Sequence, residues 1–197
     1  MGRRTAADVQ VGGSRQGVPS KVPPPVPIAC DMPFGQSRSM ALEIERKFLV
    51  DGDAWRAAVV KTHSIIQAYV ALEGTTSVRV RIYDDRQARL TVKFGVSELT
   101  RHEFEYPVPL ADARDMVEAN RERTVEKTRH LIPLEGFVWE VDVFDGPLAG
   151  LVIAEVEMSS EDDDPVLPPW LGREVSDDPA FSNAMLATEG WPADARP

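Results

Sequence analysis

The sequence predicts a mainly β protein of the α+β kind: an eight-stranded antiparallel sheet closed into a barrel, with a few short flanking helices. Three observations carry that expectation. From residue 41 onward, eight segments rich in β-branched and aromatic residues alternate apolar and polar positions. The stretches between them, such as "LEGTTS", "YDDRQ", "FGVSE", "LEGF" and "DGPLAG", are short and turn-like, which favours antiparallel pairing. Eight is also a number at which such a sheet can close on itself.

Residues 1–39 hold Gly, Pro, Ser and Gln without a periodic apolar face and include "VPPPVP" at 22–27, so they read as a disordered extension. Met40 directly precedes the first patterned strand, which leaves two readings open: a start assigned upstream of the true one, or a Pro-rich docking tail. The patterned domain spans 40–190, with 191–197 a tail. Its expected strands are 42–50, 64–72, 76–84, 88–95, 99–109, 124–132, 137–145 and 151–159. Two interruptions look helical. Asp53 can cap "AWRAAVV", and "LADARDMVEAN" sets Leu110, Ala113, Met116 and Val117 at helical spacing. A last short helix is expected in "PAFSNAMLATEG", stopped by Gly190.

Composition excludes several classes. The single cysteine, Cys30, rules out a disulfide framework and points to a reducing cytoplasm. No apolar run is long enough to span a membrane, and "MGRRTAADVQVGG" lacks the apolar segment of a signal peptide. Formal net charge is −10; residues 1–39 carry five Lys/Arg against Asp8 and Asp31, which leaves seventeen bases against thirty acids beyond them, or −13. So acidic a body repels nucleic acid and anionic membranes, and any anion it binds needs a local concentration of bases or metal ions.

The strand charges keep a phase. In "LEIERKFLV", Glu43, Glu45 and Lys47 share one face and Leu42, Ile44 and Phe48 the other. The pattern recurs with Arg79 and Arg81 in "SVRVRIY", Thr91 and Lys93 in "LTVKF", and Arg101, Glu103 and Glu105 in "RHEFEYPV". It continues with Lys127 and Arg129 in "VEKTRHL", Glu140 and Asp142 in "WEVDVF", and Glu155 and Glu157 in "IAEVEM". Two packings fit: charges facing solvent around an apolar core, or charges lining a lumen with the apolar faces packed outward beneath helices and loops. Strict doublets of one sign favour the lumen. Six bases and eight acids buried there would cost several kcal/mol per ion if unpaired. A polyphosphate with divalent cations uses both signs at once, carboxylates holding metal and Arg or Lys holding phosphate oxygens.

"EIERK", "VRVR", "TVK", "HEFE", "VEKTR", "WEVDVF" and "AEVE", in that order over residues 41–190, resemble the CYTH domain of the triphosphate tunnel metalloenzymes. The resemblance implies an eight-stranded barrel whose polar tunnel binds a triphosphate with Mg²⁺ or Mn²⁺. Position by position it implies Lys47, Arg79, Arg81, Lys93, Lys127 and Arg129 as phosphate clamp. Glu43, Glu45, Glu155 and Glu157 become metal ligands, assisted by Glu103, Glu105, Glu140 and Asp142. Tyr69 in "QAYV" sits where short bacterial tripolyphosphatases of the family carry a tyrosine paired with the lysine equivalent to Lys47; such a phenol could take a proton from water. Arg123 is either an extra phosphate contact or a surface residue.

The implied activity is hydrolysis of inorganic tripolyphosphate to diphosphate and phosphate. Class IV adenylate cyclase, thiamine or nucleoside triphosphatase, and a non-catalytic polyphosphate-binding module are the alternatives. The implied partner is the small-molecule triphosphate, with no nucleic acid and no membrane, and a homodimer is left open. His63, His102 and His130 lack metal spacing and read as surface or strand-face residues, "EDDDP" at 161–165 reads as a solvated loop, and Trp170 as the anchor of an exterior turn.

Overall fold

The computed structural model describes residues 44–95 and 101–192. The extension at 1–39 with Cys30, the acid Glu43 and the tail beyond 192 lie outside the described residues. The strands are β1 (Ile44–Val50), β2 (Lys61–Glu73), β3 (Thr76–Tyr83), β4 (Gln87–Gly95), β5 (Arg101–Val108), β6 (Thr124–Leu134), β7 (Phe137–Phe144), β8 (Val152–Met158) and β9 (Leu171–Glu174). Helix α1 (Leu110–Ala119) follows β5, and α2 (Asn183–Thr188) follows β9. No helix among the described residues is long and apolar enough to cross a membrane.

All nine strands form one antiparallel sheet in the order β5-β4-β3-β2-β6-β7-β8-β1-β9. Here the structure corrects the sequence reading, which expected eight strands and a closed barrel. Among the described residues β5 pairs only with β4, and the outer edge of β1, which closure would need, is taken by β9. The sheet therefore has two ends, although it curls far enough that side chains from β1 through β8 line one cavity. Strand β9 escaped the sequence because "LGRE" is four residues without alternation. Gly172 suits it: a Cβ there would lie 3.0 Å from the Asp51 carboxylate.

Tight turns join the strands. Glu135 and Gly136 both have positive φ (48° and 87°), as a two-residue hairpin whose twist matches its strands requires. Asp84 and Asp85 are left-handed too, at 52° and 53°, a conformation aspartate tolerates better than most residues. The expected helix after Asp53 is a 3₁₀ turn over Ala54–Ala58, and Asp53 caps nothing with its side chain; its carboxylate holds Arg56 Nε at 2.8 Å. The C-terminal segment splits into a 3₁₀ turn, Pro179–Phe181, and α2, whose first turn is capped by Ser182 Oγ accepting from the Met185 N–H.

The outward face of the sheet is apolar and covered. Phe48, Trp139, Val141, Ala154 and Val156 pack with Trp55 and Trp170, the Trp139 ring lying 5.8 Å from Phe48 and 6.0 Å from Trp170. Trp170 thus anchors its turn to the sheet exterior. Ala113 of α1 packs on Ala68, Val80, Ile82 and Ala88, covering β2, β3 and β4. A third cluster, with Val125, Phe144 and Ile153 under Phe181 and Leu186, closes one end of the inward face.

Trp139 is fully buried, so Trp139→Ala is expected to lower unfolding stability by about 3–5 kcal/mol in chemical denaturation. A loss under about 1 kcal/mol would show that the outward face is not a packed core.

Candidate functional site

Strand periodicity decides which side chains meet. With the apolar positions turned out, the alternate positions turn in, and register brings opposite charges face to face: Lys47 opposes Glu155, Arg129 opposes Asp142, and Lys93 opposes Glu103. Like charges also meet, with Glu45 opposite Glu157, Glu140 opposite Glu155 and Arg81 opposite Arg89. All of these residues but Asp142 border a cavity of about 1210 Å³, to which β1 through β8 and α2 contribute.

Arg129 is the hub. Its Nε and Nη2 donate to both oxygens of Asp142 at 2.7 Å, Nη2 also reaches Glu155 at 2.9 Å, and Nη1 donates to Glu140. Burial lowers its basicity, but Asp142 and Glu140 outweigh that and hold the guanidinium well above its usual range. Lys47 donates to Glu155 at 2.8 Å and pairs with Glu45 at 2.6 Å. Burial pulls it down, yet those two carboxylates raise it overall, while Glu155 is held far below the carboxylate range by Lys47, Lys127 and Arg129 against its own burial. Lys127 donates to Asp142 and, at 3.1 Å, to Asn183 Oδ1 of α2. Burial, joined by the charge of Arg129, brings Lys127 down to about 8 despite Asp142. Asp142 stays below its usual range because Arg129 and Lys127 overcome its burial.

The β3–β5 wall is arranged differently. Arg79 Nη2 donates to Thr91 Oγ1 at 3.4 Å, and its buried Nε has no partner among the described residues. Arg81 donates to Gln67 Oε1 at 3.1 Å and to the Tyr83 hydroxyl at 2.9 Å. Among the described residues neither arginine makes an ion pair. On the same wall Arg89 donates to Glu105 at 3.2 Å, Thr91 Oγ1 donates to that carboxylate at 3.1 Å, and Lys93 pairs with Glu103 at 2.9 Å.

Of the residues singled out in the sequence, Glu45, Lys47, Tyr69, Arg79, Arg81, Lys93, Glu103, Glu105, Arg129, Glu140, Glu155 and Glu157 all border the cavity. Lys127 and Asp142 lie buried behind it, at the base of the Arg129 network. Tyr69 borders the cavity while packing into the apolar end cluster, opposite Arg79. Lys47 makes its contacts with Glu155 and Glu45, not with Tyr69. Arg123 is exposed in a 3₁₀ turn away from the cavity. His63 is buried on its strand face and its Nδ1 lies 2.6 Å from Asp84.

Sequence reasoning missed Arg89, although it keeps phase with Thr91 and Lys93. It also missed Gln67, in phase with Tyr69, and Asn183, which carries no strand signal. Among the described residues no three carboxylates are already gathered at metal-binding spacing. The donor chemistry nevertheless fits a hard divalent cation, since the acids at the cavity offer carboxylate oxygens, with Glu45 directly opposite Glu157.

Fold and site together define a class: an antiparallel sheet curled around a buried field of both charges. The chain belongs to the CYTH domain family, whose model matches residues 41–182. An inorganic triphosphatase from Acetivibrio thermocellus is 42% identical over 148 residues, covering 75% of this chain and 94% of that protein. One from Nitrosomonas europaea is 34% identical over 152 residues, covering 74% and 96%. A crystal structure of an inorganic triphosphatase is 33% identical with a TM-score of 0.55, covering 77% of this chain and 97% of that one.

Glu140 titrates near neutrality: burial, joined by Asp142, Glu155 and Glu157, pushes it up to about 7 against the pull of Arg129. The folded state then keeps a proton that the unfolded chain releases between about pH 4.5 and 7, so stability is lost as pH rises through that window. In metal-free buffer, the unfolding free energy of the wild type minus that of Glu140→Gln is expected to fall by on the order of 2–3 kcal/mol from pH 4.5 to 7.5 and level off above. A difference independent of pH would contradict the shift.

Proposed function

We propose that this CYTH protein is a metal-dependent triphosphate phosphohydrolase that cleaves inorganic tripolyphosphate to diphosphate and phosphate. The observation that carries the reading is that both signs of charge are buried together in one cavity, in a chain 42% identical to an inorganic triphosphatase. A protein binding only an anion has no use for inward acids, and one binding only a cation has no use for inward bases. In this reading the cavity serves as the triphosphate tunnel of the family.

The bases facing the cavity take phosphate oxygens, with Arg79 and Arg81 available at once and Lys47, Lys93 and Arg129 exchanging a carboxylate for phosphate. Lys127, behind Arg129, adds its charge to the phosphate field. The acids so released, Glu45, Glu140 and Glu155, with Glu43 and Glu157, would hold Mg²⁺ or Mn²⁺. Glu103 and Glu105, held by Lys93 and by Arg89 and Thr91, complete the charge balance of the opposite wall, and Asp142 keeps Arg129 and Lys127 in place. The bound cation supplies electrostatic stabilisation of charge on the phosphate oxygens. Water attacks the terminal phosphorus, the bridging P–O bond breaks toward diphosphate, and both protons of the water leave on the orthophosphate formed, while the hydroxyl of Tyr69, at the cavity wall beside Arg79, orients the attacking water. The chain's part is therefore positioning and fixed charge rather than covalent catalysis.

Purified protein offered tripolyphosphate, ATP and thiamine triphosphate with Mg²⁺ or Mn²⁺ is expected to release phosphate fastest from tripolyphosphate. Release should stop with excess chelator and fall at least about a hundredfold in Lys47→Ala and in Glu45→Gln. Metal-independent release, or full activity in both variants, would overturn the reading.

A further inference from the structure

We infer that Gln67, with Tyr83, is a positioning residue for the proposed hydrolysis, anchoring the Arg81 guanidinium through uncharged oxygens so that its charge stays available to a phosphate group. The inference rests on the function proposed above. Gln67 stands directly opposite Arg81 in the β2–β3 ladder, and Arg81, not Gln67, borders the cavity, so Gln67 acts through the arginine.

Three observations single out this contact. The first is its contrast with five other bases of the site: Lys47, Lys93, Arg89, Lys127 and Arg129 all touch carboxylates and Arg79 meets only Thr91, at 3.4 Å, whereas buried Arg81 is fixed by an amide oxygen at 3.1 Å and a hydroxyl oxygen at 2.9 Å. Its guanidinium also lies over the Tyr83 ring, 5.7 Å from the centroid, so two neighbours restrain its plane without neutralising it.

The second is that stability does not explain a glutamine here. Gln67 is completely buried, and its Nε2 has no hydrogen-bond partner among the described residues. The amide orientation is fixed by its neighbour, because Arg81 can only donate and so must face Oε1. The nitrogen therefore stays in the interior with its hydrogen bonds unmade, which is destabilising, whereas a methionine or leucine would fill the space without an orphaned donor.

The third is the residue that is absent. Glutamate has nearly the same shape, lacks the orphaned donor and would bind Arg81 by a stronger charge-assisted bond, so it is the better structural choice. It would also cancel the charge that Arg81 offers an anion. A neutral acceptor at a fully buried position, facing an arginine that borders the cavity, is what holding a cation for a ligand requires.

The experiment compares Gln67→Glu with wild type in three readouts: melting temperature, KM and kcat for tripolyphosphate with Mg²⁺, and the calorimetric Kd for tripolyphosphate. The expected result is a melting temperature equal to or above wild type, together with KM and Kd raised about tenfold and kcat changed less than about threefold. Tyr83→Phe, which removes only the second anchor, is expected to raise KM about threefold, and it decides the matter if Gln67→Glu does not fold. Wild-type KM and Kd in Gln67→Glu would overturn the inference, as would a loss of stability and kcat with KM unchanged. If Gln67→Glu does not fold, an unchanged KM in Tyr83→Phe would overturn it. A wild type that binds tripolyphosphate without hydrolysing it would refute the proposed activity while the Kd ratio still tests Gln67; a wild type that binds none refutes both.

Discussion

The constraint on which the rest of this structure depends is that charge taken out of water must be compensated. More than ten ionisable side chains point into the curl of the sheet, and leaving one unpaired would cost several kcal/mol. Strand register supplies most of the compensation. Because Lys47 meets Glu155 and Arg129 meets Asp142 directly across the ladder, slipping either strand by one residue would turn the charged face outward and the apolar face inward. The polar face therefore specifies register as strongly as the apolar one does.

Compensation is uneven. Around Arg129, acids from β7 and β8 saturate the guanidinium, and the network extends through Lys127 to Asn183 of α2, tying the C-terminal helix to the charged interior. On β3, two arginines rest on oxygen atoms that carry no charge. A wall rich in carboxylates thus faces one holding two guanidinium groups that have no carboxylate partner among the described residues. The rigid outer layer, with Trp139 locked between Phe48 and Trp170 and with α1 on β2–β4, holds both walls in place. Electrostatic preorganisation of this sort is bought with the packing of the outer face.

Much of this was legible in the sequence because a strand's period of two maps directly onto its two faces. The doublets at 79/81, 103/105, 140/142 and 155/157 told the inward face, and eight of the nine strands followed from alternation and turn residues. Sheet closure was not legible, because which strand takes the free edge of β1 depends on β9, a segment whose pairing rests on tertiary contact alone. Nor was the division among paired, buried and cavity-facing charges. Lys127 and Lys93 look alike in sequence, yet one lies behind Arg129 and the other borders the cavity, a distinction set by the curl of the sheet. Gln67 and Asn183 escaped because an isolated amide carries no periodic signal, and its importance lies in the cation it touches.

The central claim is that the paired charges of this cavity couple the binding of an anion to the binding of a cation. Each ligand frees the side chains that the other needs, so their binding must be positively and reciprocally coupled. The most direct measurement is calorimetric titration of tripolyphosphate with and without saturating Mn²⁺ or Mg²⁺, and of the metal with and without tripolyphosphate, corrected for the metal–polyphosphate complex formed in solution. The account expects each to bind at least about tenfold tighter in the presence of the other. Equal affinities in both titrations would mean that the two sets of charges act independently, and would contradict it.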